Sequence, residues 1–153
     1  MNVPFLRLFA AVALVASFAM TATAQTGPPA ARYTTTTNTV YDNKTKLTWQ
    51  RMVAPNTYNE TAARVYCASE AVTTILGGAG RLPTLKELQS IVDYSRLAPA
   101  IDPDAFPSNA PSFFWSASLR VGSSSSDAWG VNFYDGDTYT RQVNSDAAVR
   151  CVH

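Results

Sequence analysis

The stretch RLPTLKELQSIVDYS, residues 81–95, decides the fold prediction. Thr84 and Glu87 have the spacing of a capping box, in which a hydroxyl and a carboxylate satisfy free amides at a helix N-terminus. The apolar residues that follow recur at helical spacing and share one face: Leu85, Leu88, Ile91 and Val92. The stretch therefore predicts a short helix that packs one apolar stripe against a core.

An earlier helix and a hairpin are predicted upstream. Thr57 and Glu60 form another capping box, the residues at 60–72 are good helix formers, and Gly77-Gly78 ends the run. Before this helix, two short β-prone runs within residues 40–50 flank the turn-rich tetrad DNKT, which is typical of a β-hairpin.

The remainder of the chain is predicted to be irregular and then β-rich. Residues 95–109 contain three prolines, which predicts a long irregular loop. Strands are expected at 113–118 and in a hairpin of 129–133 and 138–141, and a last strand at 148–152. The order predicts an α+β domain with two short helices on small antiparallel sheets.

The N-terminal residues carry a targeting pattern. Residues 1–24 combine one basic residue, an apolar run at 8–19 and a small-residue end, which predicts a signal peptide cleaved after Ala24. The apolar run, about 12 residues, is too short to cross roughly 30 Å of hydrocarbon, so a retained anchor is the weaker alternative. Residues 25–37 are expected to be a flexible lead-in. We expect a periplasmic or extracellular protein with no integral membrane segment after cleavage.

Length and charge limit the classes of function. Removal of 24 residues from 153 leaves 129, enough for one domain, here residues 38–153 after the lead-in. Loss of Arg7 leaves 11 basic and 11 acidic side chains, from 12 and 11, and no run of Lys or Arg. Nucleic acid is therefore not an expected partner.

Cys67 and Cys151 are the two cysteines of the chain. In an oxidising compartment an even pair is expected to form a disulfide. The alternative, a reactive or metal-binding pair, would need His or Lys companions, and the chain has a single His, His153. A structural disulfide is the prediction.

The hairpin that turns at Asp135-Gly136 is the candidate binding surface. A turn of two or four residues places Phe133 opposite Thr138. Asn132 then lies opposite Tyr139, whereas a three-residue bulged turn would point Tyr139 inward. In the first register one outer face carries the five candidate ligand-binding residues: Asn132, Tyr134, Asp137, Tyr139 and Arg141.

Strand alternation places Trp129, Val131 and Phe133 on the core side of this hairpin. Trp49 and Trp115 also lie in strand patterns, so all three tryptophans are assigned to the core. Aromatic rings beside amides and a guanidinium on the outer face can stack on, and hydrogen-bond to, a sugar or a peptide. A solvated hairpin face without a ligand is the alternative.

The sequence selects no catalytic residue and no resident cofactor. The close acidic pairs Asp102/Asp104 and Asp135/Asp137 lie outside any complete calcium loop and are expected to shape turns, with calcium as the alternative. A Ser-His-Asp hydrolase would have to use the terminal His153. No pair of carboxylates is singled out for glycoside hydrolysis.

Several strings resemble, in the same order, the Lcl C-terminal domain family, small exported domains named for a bacterial collagen-like adhesin and grouped with the C-type-lectin-like fold. They are TVYDNKTKLTWQR at 39–51, Tyr66-Cys67, RLPTLKELQSIVDYS at 81–95, PAIDPDAFP at 99–107, FWSAS at 114–118, AWGVNFYDG at 128–136 and VRCV at 149–152. The family usually has Asp-Trp before the RLPT string, where this chain has Ala79-Gly80.

The resemblance implies a C-type-lectin-like α+β fold whose disulfide joins the first helix to the last strand, where Cys67 and Cys151 fall. It implies extracellular recognition, with sulfated polysaccharide binding known for the adhesin, and it does not imply catalysis. We therefore expect an exported, non-catalytic, adhesin-like module for a glycan or an envelope or extracellular protein. A structural subunit of a surface complex is the main alternative, and a hydrolase is another.

Overall fold

The computed structural model describes residues 31–108, 112–122 and 126–153, so the predicted signal peptide at 1–24 lies outside the described residues. The described parts form an α+β fold of two three-stranded antiparallel sheets and three short helices. In chain order the elements are β1 (Tyr33–Thr35), β2 (Thr39–Asp42), β3 (Thr48–Gln50), α1 (Glu60–Cys67), α2 (Glu70–Leu76), α3 (Leu85–Ser90), β4 (Phe113–Leu119), β5 (Asp127–Asn132) and β6 (Thr138–Gln142).

The N-terminal sheet has the order β1-β2-β3 and contains the predicted hairpin. Val40 pairs with Trp49 across β2 and β3, and both side chains are fully buried. The Asp42 carboxylate accepts a hydrogen bond from the Lys44 amide, 2.9 Å away, at the start of the turn. A turn-forming aspartate and β-branched or aromatic neighbours thus produce the hairpin locally.

The prediction that residues 25–37 form a flexible lead-in is wrong for its last part. β1 lies within this range and pairs with β2. Arg32 forms an ion pair of 2.9 Å with Asp42, whose side chain is fully buried. Threonine is β-branched and favours strands, so the Thr run extends the sheet instead of remaining loose.

The first helix is also corrected, because two helices replace the single predicted one. Asn59, not Thr57, caps α1, and its side-chain oxygen accepts a hydrogen bond from the Ala62 amide at 2.9 Å. Ser69 has the extended backbone of an N-cap and begins α2. The extended backbone of Ser69 breaks the helix between Cys67 and Glu70, and its side chain makes no capping hydrogen bond.

The capping box of α3 is present as predicted. The Glu87 carboxylate accepts from the Thr84 amide at 2.8 Å, and the Glu87 amide donates to the Thr84 hydroxyl at 3.3 Å. Both guanidinium ends of Arg81 donate to Glu87, at 2.7 and 2.8 Å. Chiefly because of Arg81, the pKa of Glu87 falls to about 2.

The C-terminal sheet has the order β4-β5-β6, and core residues cover both faces of β4 and β5. Phe114 and Val131 belong to one buried cluster, packed with α3. Phe113, Trp115 and Ala128 belong to the other, packed with α1 and α2. The sheet therefore separates two parts of the core.

Trp129 does not join either cluster and is only half-buried, so the prediction that it lies in the core is wrong. It pairs with Thr140 of β6. β6 carries no buried side chain, so Trp129, its neighbour on β5, is left uncovered on the side of β6. Trp49 and Trp115 are fully buried, as predicted.

The predicted last strand at 148–152 is replaced by isolated bridges. Ala148 bridges to Phe114, while Val152 bridges to both Trp49 and Arg81. The segment thus crosses from the C-terminal sheet to the N-terminal sheet. Its pairing with each sheet is limited to isolated bridges, so it forms no continuous strand.

The disulfide between Cys67 and Cys151 is present and joins α1 to this terminal segment. The two residues are 84 positions apart in sequence and 5.3 Å apart between Cα atoms. Both are fully buried. The bridge therefore fixes the terminal segment, which links the two sheets, to the helical side of the core.

The predicted irregular loop lies between α3 and β4, and its described part, to residue 108, contains no helix or strand. Ala100, Ile101 and Phe106 are nevertheless buried in the first core cluster. Asn109 at the end of the predicted loop lies outside the described residues. The loop is thus held by buried apolar side chains, together with backbone hydrogen bonds such as that from the Ala100 amide to the Phe133 carbonyl, 2.8 Å long.

Candidate functional site

The β5–β6 hairpin closes around a four-residue loop at residues 133–136. The Asn132 amide donates to the Asp137 carbonyl at 2.9 Å, and the Gly136 amide donates to the Asn132 carbonyl at 2.8 Å. The Asn132 side chain also accepts from the Tyr134 amide at 3.1 Å. Gly136 has φ of 86°, a conformation that glycine adopts without strain.

The predicted pairing is wrong by two residues, because Tyr139 lies opposite Gly130 and Thr138 lies opposite Val131. The turn begins at Phe133, earlier than the Asp-Gly pair alone indicates. A shift of two residues preserves the alternation of faces. Asn132, Tyr139 and the other predicted residues of β6 therefore still share a face.

The face that carries Asn132, Tyr139 and Arg141 is not exposed to solvent across all three strands of the sheet. On β4 and β5 it carries buried residues of the second core cluster, including Phe113 and Ala128. Its exposed side chains lie mainly at β6 and at the hairpin loop, with Leu119 exposed at the end of β4. Tyr134 is 50% exposed and Tyr139 is 45% exposed.

Three of the five predicted residues come together and two do not. Asn132, Tyr134 and Arg141 line one groove of about 490 Å³, which we call the Arg141 groove. Asp137 and Tyr139 are not among its lining residues. The Tyr139 hydroxyl instead donates to the Asp135 carboxylate at 3.3 Å, and the charge of Asp135 raises the pKa of Tyr139.

Arg141 is held in a defined position at the groove. Its guanidinium carbon lies 4.6 Å from the centre of the Phe113 ring, within cation–π range. One guanidinium nitrogen donates to the Asp146 carbonyl at 3.1 Å. The other guanidinium donors make no hydrogen bond within the part of the chain that the structure describes, so a ligand can use them.

The sequence prediction missed the opposite wall of the groove. The Arg141 groove is also lined by Thr57, Ser112, Phe113, Asp146, Ala147 and Ala148. The Tyr58 and Ala147 backbones exchange hydrogen bonds of 3.0 and 2.9 Å, which brings Thr57 next to the terminal segment. No sequence signal indicates this long-range pairing, and the capping-box pattern predicts Thr57 only as a helix cap.

The aspartates considered for calcium close turns. Asp102 accepts from the Asp104 amide at 2.9 Å, and Asp135 accepts from the Asp137 amide at 3.0 Å. In residues 31–108, 112–122 and 126–153 no three His, Cys, Asp or Glu side chains converge in a way that could hold a metal ion. The geometry therefore agrees with a turn-shaping role for these pairs.

His153, the residue that a triad would require, lies elsewhere. A ring nitrogen of His153 is 3.3 Å from the Ala79 carbonyl oxygen, and the ring packs against Gly78. It does not line the Arg141 groove.

No helix within the described residues is long and apolar enough to cross a membrane.

Comparison with known proteins places the chain in a family. No curated protein sequence matches the chain. The family model described as the Lcl C-terminal domain matches residues 38–153, a range that contains β2 to β6, the disulfide and the whole Arg141 groove. Because this match covers most of the chain, the protein belongs to the Lcl C-terminal domain family.

Proposed function

We propose that the protein is an exported, non-catalytic recognition module that binds a glycan in the Arg141 groove. The observation that supports this most directly is the position of Arg141, stacked on Phe113 and hydrogen-bonded to the Asp146 backbone. A guanidinium held in this way presents its remaining donors in a fixed geometry, which lowers the entropy cost of binding.

The groove offers the chemical groups that a sugar needs. The half-exposed ring of Tyr134 provides an apolar face on which a pyranose can stack. Thr57, Asn132 and Asp146 provide hydroxyl, amide and carboxylate groups for the ligand's hydroxyls. A volume of about 490 Å³ accommodates one or two sugar rings.

The acidic groups of the groove support a non-catalytic role. Among the described residues that line it, Asp146 is the sole carboxylate. Retaining and inverting glycosidases place two carboxylates about 5–10 Å apart across the scissile bond. The Arg141 groove thus lacks the pair that this chemistry uses.

Export is part of the same proposal. The N-terminal targeting pattern and a fully buried disulfide both fit a chain that folds in an oxidising compartment. Secreted or periplasmic location would bring the groove into contact with envelope and extracellular glycans.

A glycan array tests this proposal. The oxidised protein is applied with calcium and with chelator, and Tyr134→Ala is compared with Tyr139→Ala as a matched control outside the groove. We expect selective binding that Tyr134→Ala abolishes and Tyr139→Ala leaves unchanged, with no effect of chelator. No binding by folded protein, or equal loss in both variants, would contradict the proposal. Loss with chelator would instead support the calcium alternative.

An assembly role in a surface complex is the second candidate, favoured by exposed apolar side chains near the groove. Tyr94 is 69% exposed and Leu97 is 66% exposed. The Ala98 amide donates to the Tyr134 carbonyl at 2.7 Å, which places Leu97 close to the groove rim. This role predicts stable association with a protein that Leu97→Ser disrupts and that free glycan does not displace.

A further inference from the structure

β6 is an edge strand with unsatisfied backbone groups. Among the described residues, β5 is its only partner in the sheet. At the two ends of the pairing, the Asn132 amide donates to the Asp137 carbonyl and the Val143 amide donates to the Ser126 carbonyl. In an antiparallel pair, alternate residues of a strand direct their amides and carbonyls toward the partner strand. The amides and carbonyls of Thr138 and Thr140 therefore point away from β5, and no hydrogen bond from the described parts of the chain reaches them.

The sequence of this edge is complementary to itself. Residues 137–141 read Asp-Thr-Tyr-Thr-Arg, which is symmetric about Tyr139 except that its ends carry opposite charges. If two copies pair antiparallel about Tyr139, Asp137 of each copy lies opposite Arg141 of the other. Tyr139 then faces Tyr139, and the free backbone groups of Thr138 meet those of Thr140.

We propose that β6 pairs with β6 of a second copy of this chain in that register and forms a continuous six-stranded sheet. Asp137, Tyr139 and Arg141 are all exposed. In the pairing the Arg141 guanidinium turns from Phe113 and the Asp146 carbonyl toward Asp137 of the second copy, so the second copy and a ligand in the groove compete for Arg141. Each copy contributes only five residues, which is small compared with stable interfaces. The dimer is therefore weak and depends on protein concentration.

The edge also lacks the usual protection against such pairing. Natural edge strands are commonly blocked by proline, lysine, bulges or a covering element. Residues 138–142 contain no Pro and no Lys, and the pairing of β5 with β6 is regular throughout. The single charged residue within β6, Arg141, has its counter-charge at Asp137 of the second copy.

A pair of cysteine variants tests both the dimer and its register. In the proposed pairing the two Tyr139 Cα atoms are about 4.5 Å apart, within the range for a disulfide, whereas Thr140 faces Thr138. The protein is exported from its full sequence and purified without reductant. Tyr139→Cys is expected to give a covalent dimer on a non-reducing gel, and Thr140→Cys a monomer. Bridging by Thr140→Cys alone, or by neither variant, would overturn the proposal.

A charge exchange provides a second measurement by sedimentation velocity. Asp137→Arg places two like charges together at each end of the pairing and is expected to weaken the dimer about tenfold or more. The double variant Asp137→Arg with Arg141→Asp is expected to restore it. A double variant as weak as the single one, or a wild-type protein that stays monomeric at every concentration, would refute the pairing. Because Arg141 also lines the groove, the double variant is assayed by sedimentation alone. Asp137 and Tyr139 do not line the groove, so a wild-type protein that stays monomeric leaves the glycan proposal intact.

Discussion

β4 and β6 lie on opposite sides of β5, yet their surroundings differ completely. β4 has four consecutive buried residues, Phe113–Ser116, and the terminal segment covers its outer edge. β6 has no buried residue, and no strand in the described parts of the chain pairs with its outer edge. Two strands of one sheet therefore differ in their surroundings: β4 holds the core together, and β6 leaves Tyr139 and Arg141 exposed.

The largest expected effect comes from the buried strand. Phe114 is fully buried and packs edge-on against Phe133, with ring centres 5.1 Å apart. Phe114→Ala should lower the free energy of unfolding by about 3–5 kcal/mol, through lost burial and a cavity. Tyr139→Ala on β6 should change it by less than about 0.5 kcal/mol. Urea denaturation measures both, and similar losses would show that β6 contributes to the core.

The disulfide should come next in size. It anchors the terminal segment that covers β4. The double variant Cys67→Ser/Cys151→Ser should lose about 2–5 kcal/mol of stability. Thermal unfolding of wild type with and without reductant provides the matched comparison. A double variant as stable as the oxidised wild type would mean that the segment is held by its other contacts alone.

A smaller effect is expected at the α3 capping box, where acid should weaken the fold. The pKa of Glu87 is lowered from 4.5 to about 2, so its contribution is complete above pH 4.5 and is lost as the pH falls toward 2. Glu87→Gln should cost about 1 kcal/mol at neutral pH and should reduce the loss of stability between these two values. Denaturation curves of both proteins across this range test it, and parallel losses would argue against Glu87 as the titrating group.

Local features of the sequence predicted the fold well. Thr84 and Glu87 are three residues apart, and Val40 and Trp49 are joined by a short turn, so neighbouring residues determine these elements. With two cysteines in the chain, a single disulfide pairing was possible. The break between α1 and α2 was missed because residues 60–72 favour one continuous helix, and the extended Ser69 makes no side-chain cap that a short pattern would indicate.

The candidate site was only partly predictable, for a physical reason. Alternation along β5 and β6 correctly identified the side on which Asn132 and Arg141 lie. The groove also requires Phe113 beneath Arg141, and Thr57 and Asp146 on its wall, which come from separate segments. Their proximity depends on the Tyr58–Ala147 bridge and on tertiary packing, which no short pattern specifies.

The central claim is that the groove recognises its ligand through Arg141. The most direct test is the affinity, by titration calorimetry, of the strongest glycan from the array for Arg141→Ala and for the matched control Arg120→Ala. The exposed Arg120 lies 3.5 Å from Asp127 in an ion pair and does not line the groove. We predict a loss of about tenfold or more for Arg141→Ala, because charge-assisted hydrogen bonds to the ligand disappear, and no change for Arg120→Ala. Unchanged affinity in Arg141→Ala, with the protein still folded, would contradict the account.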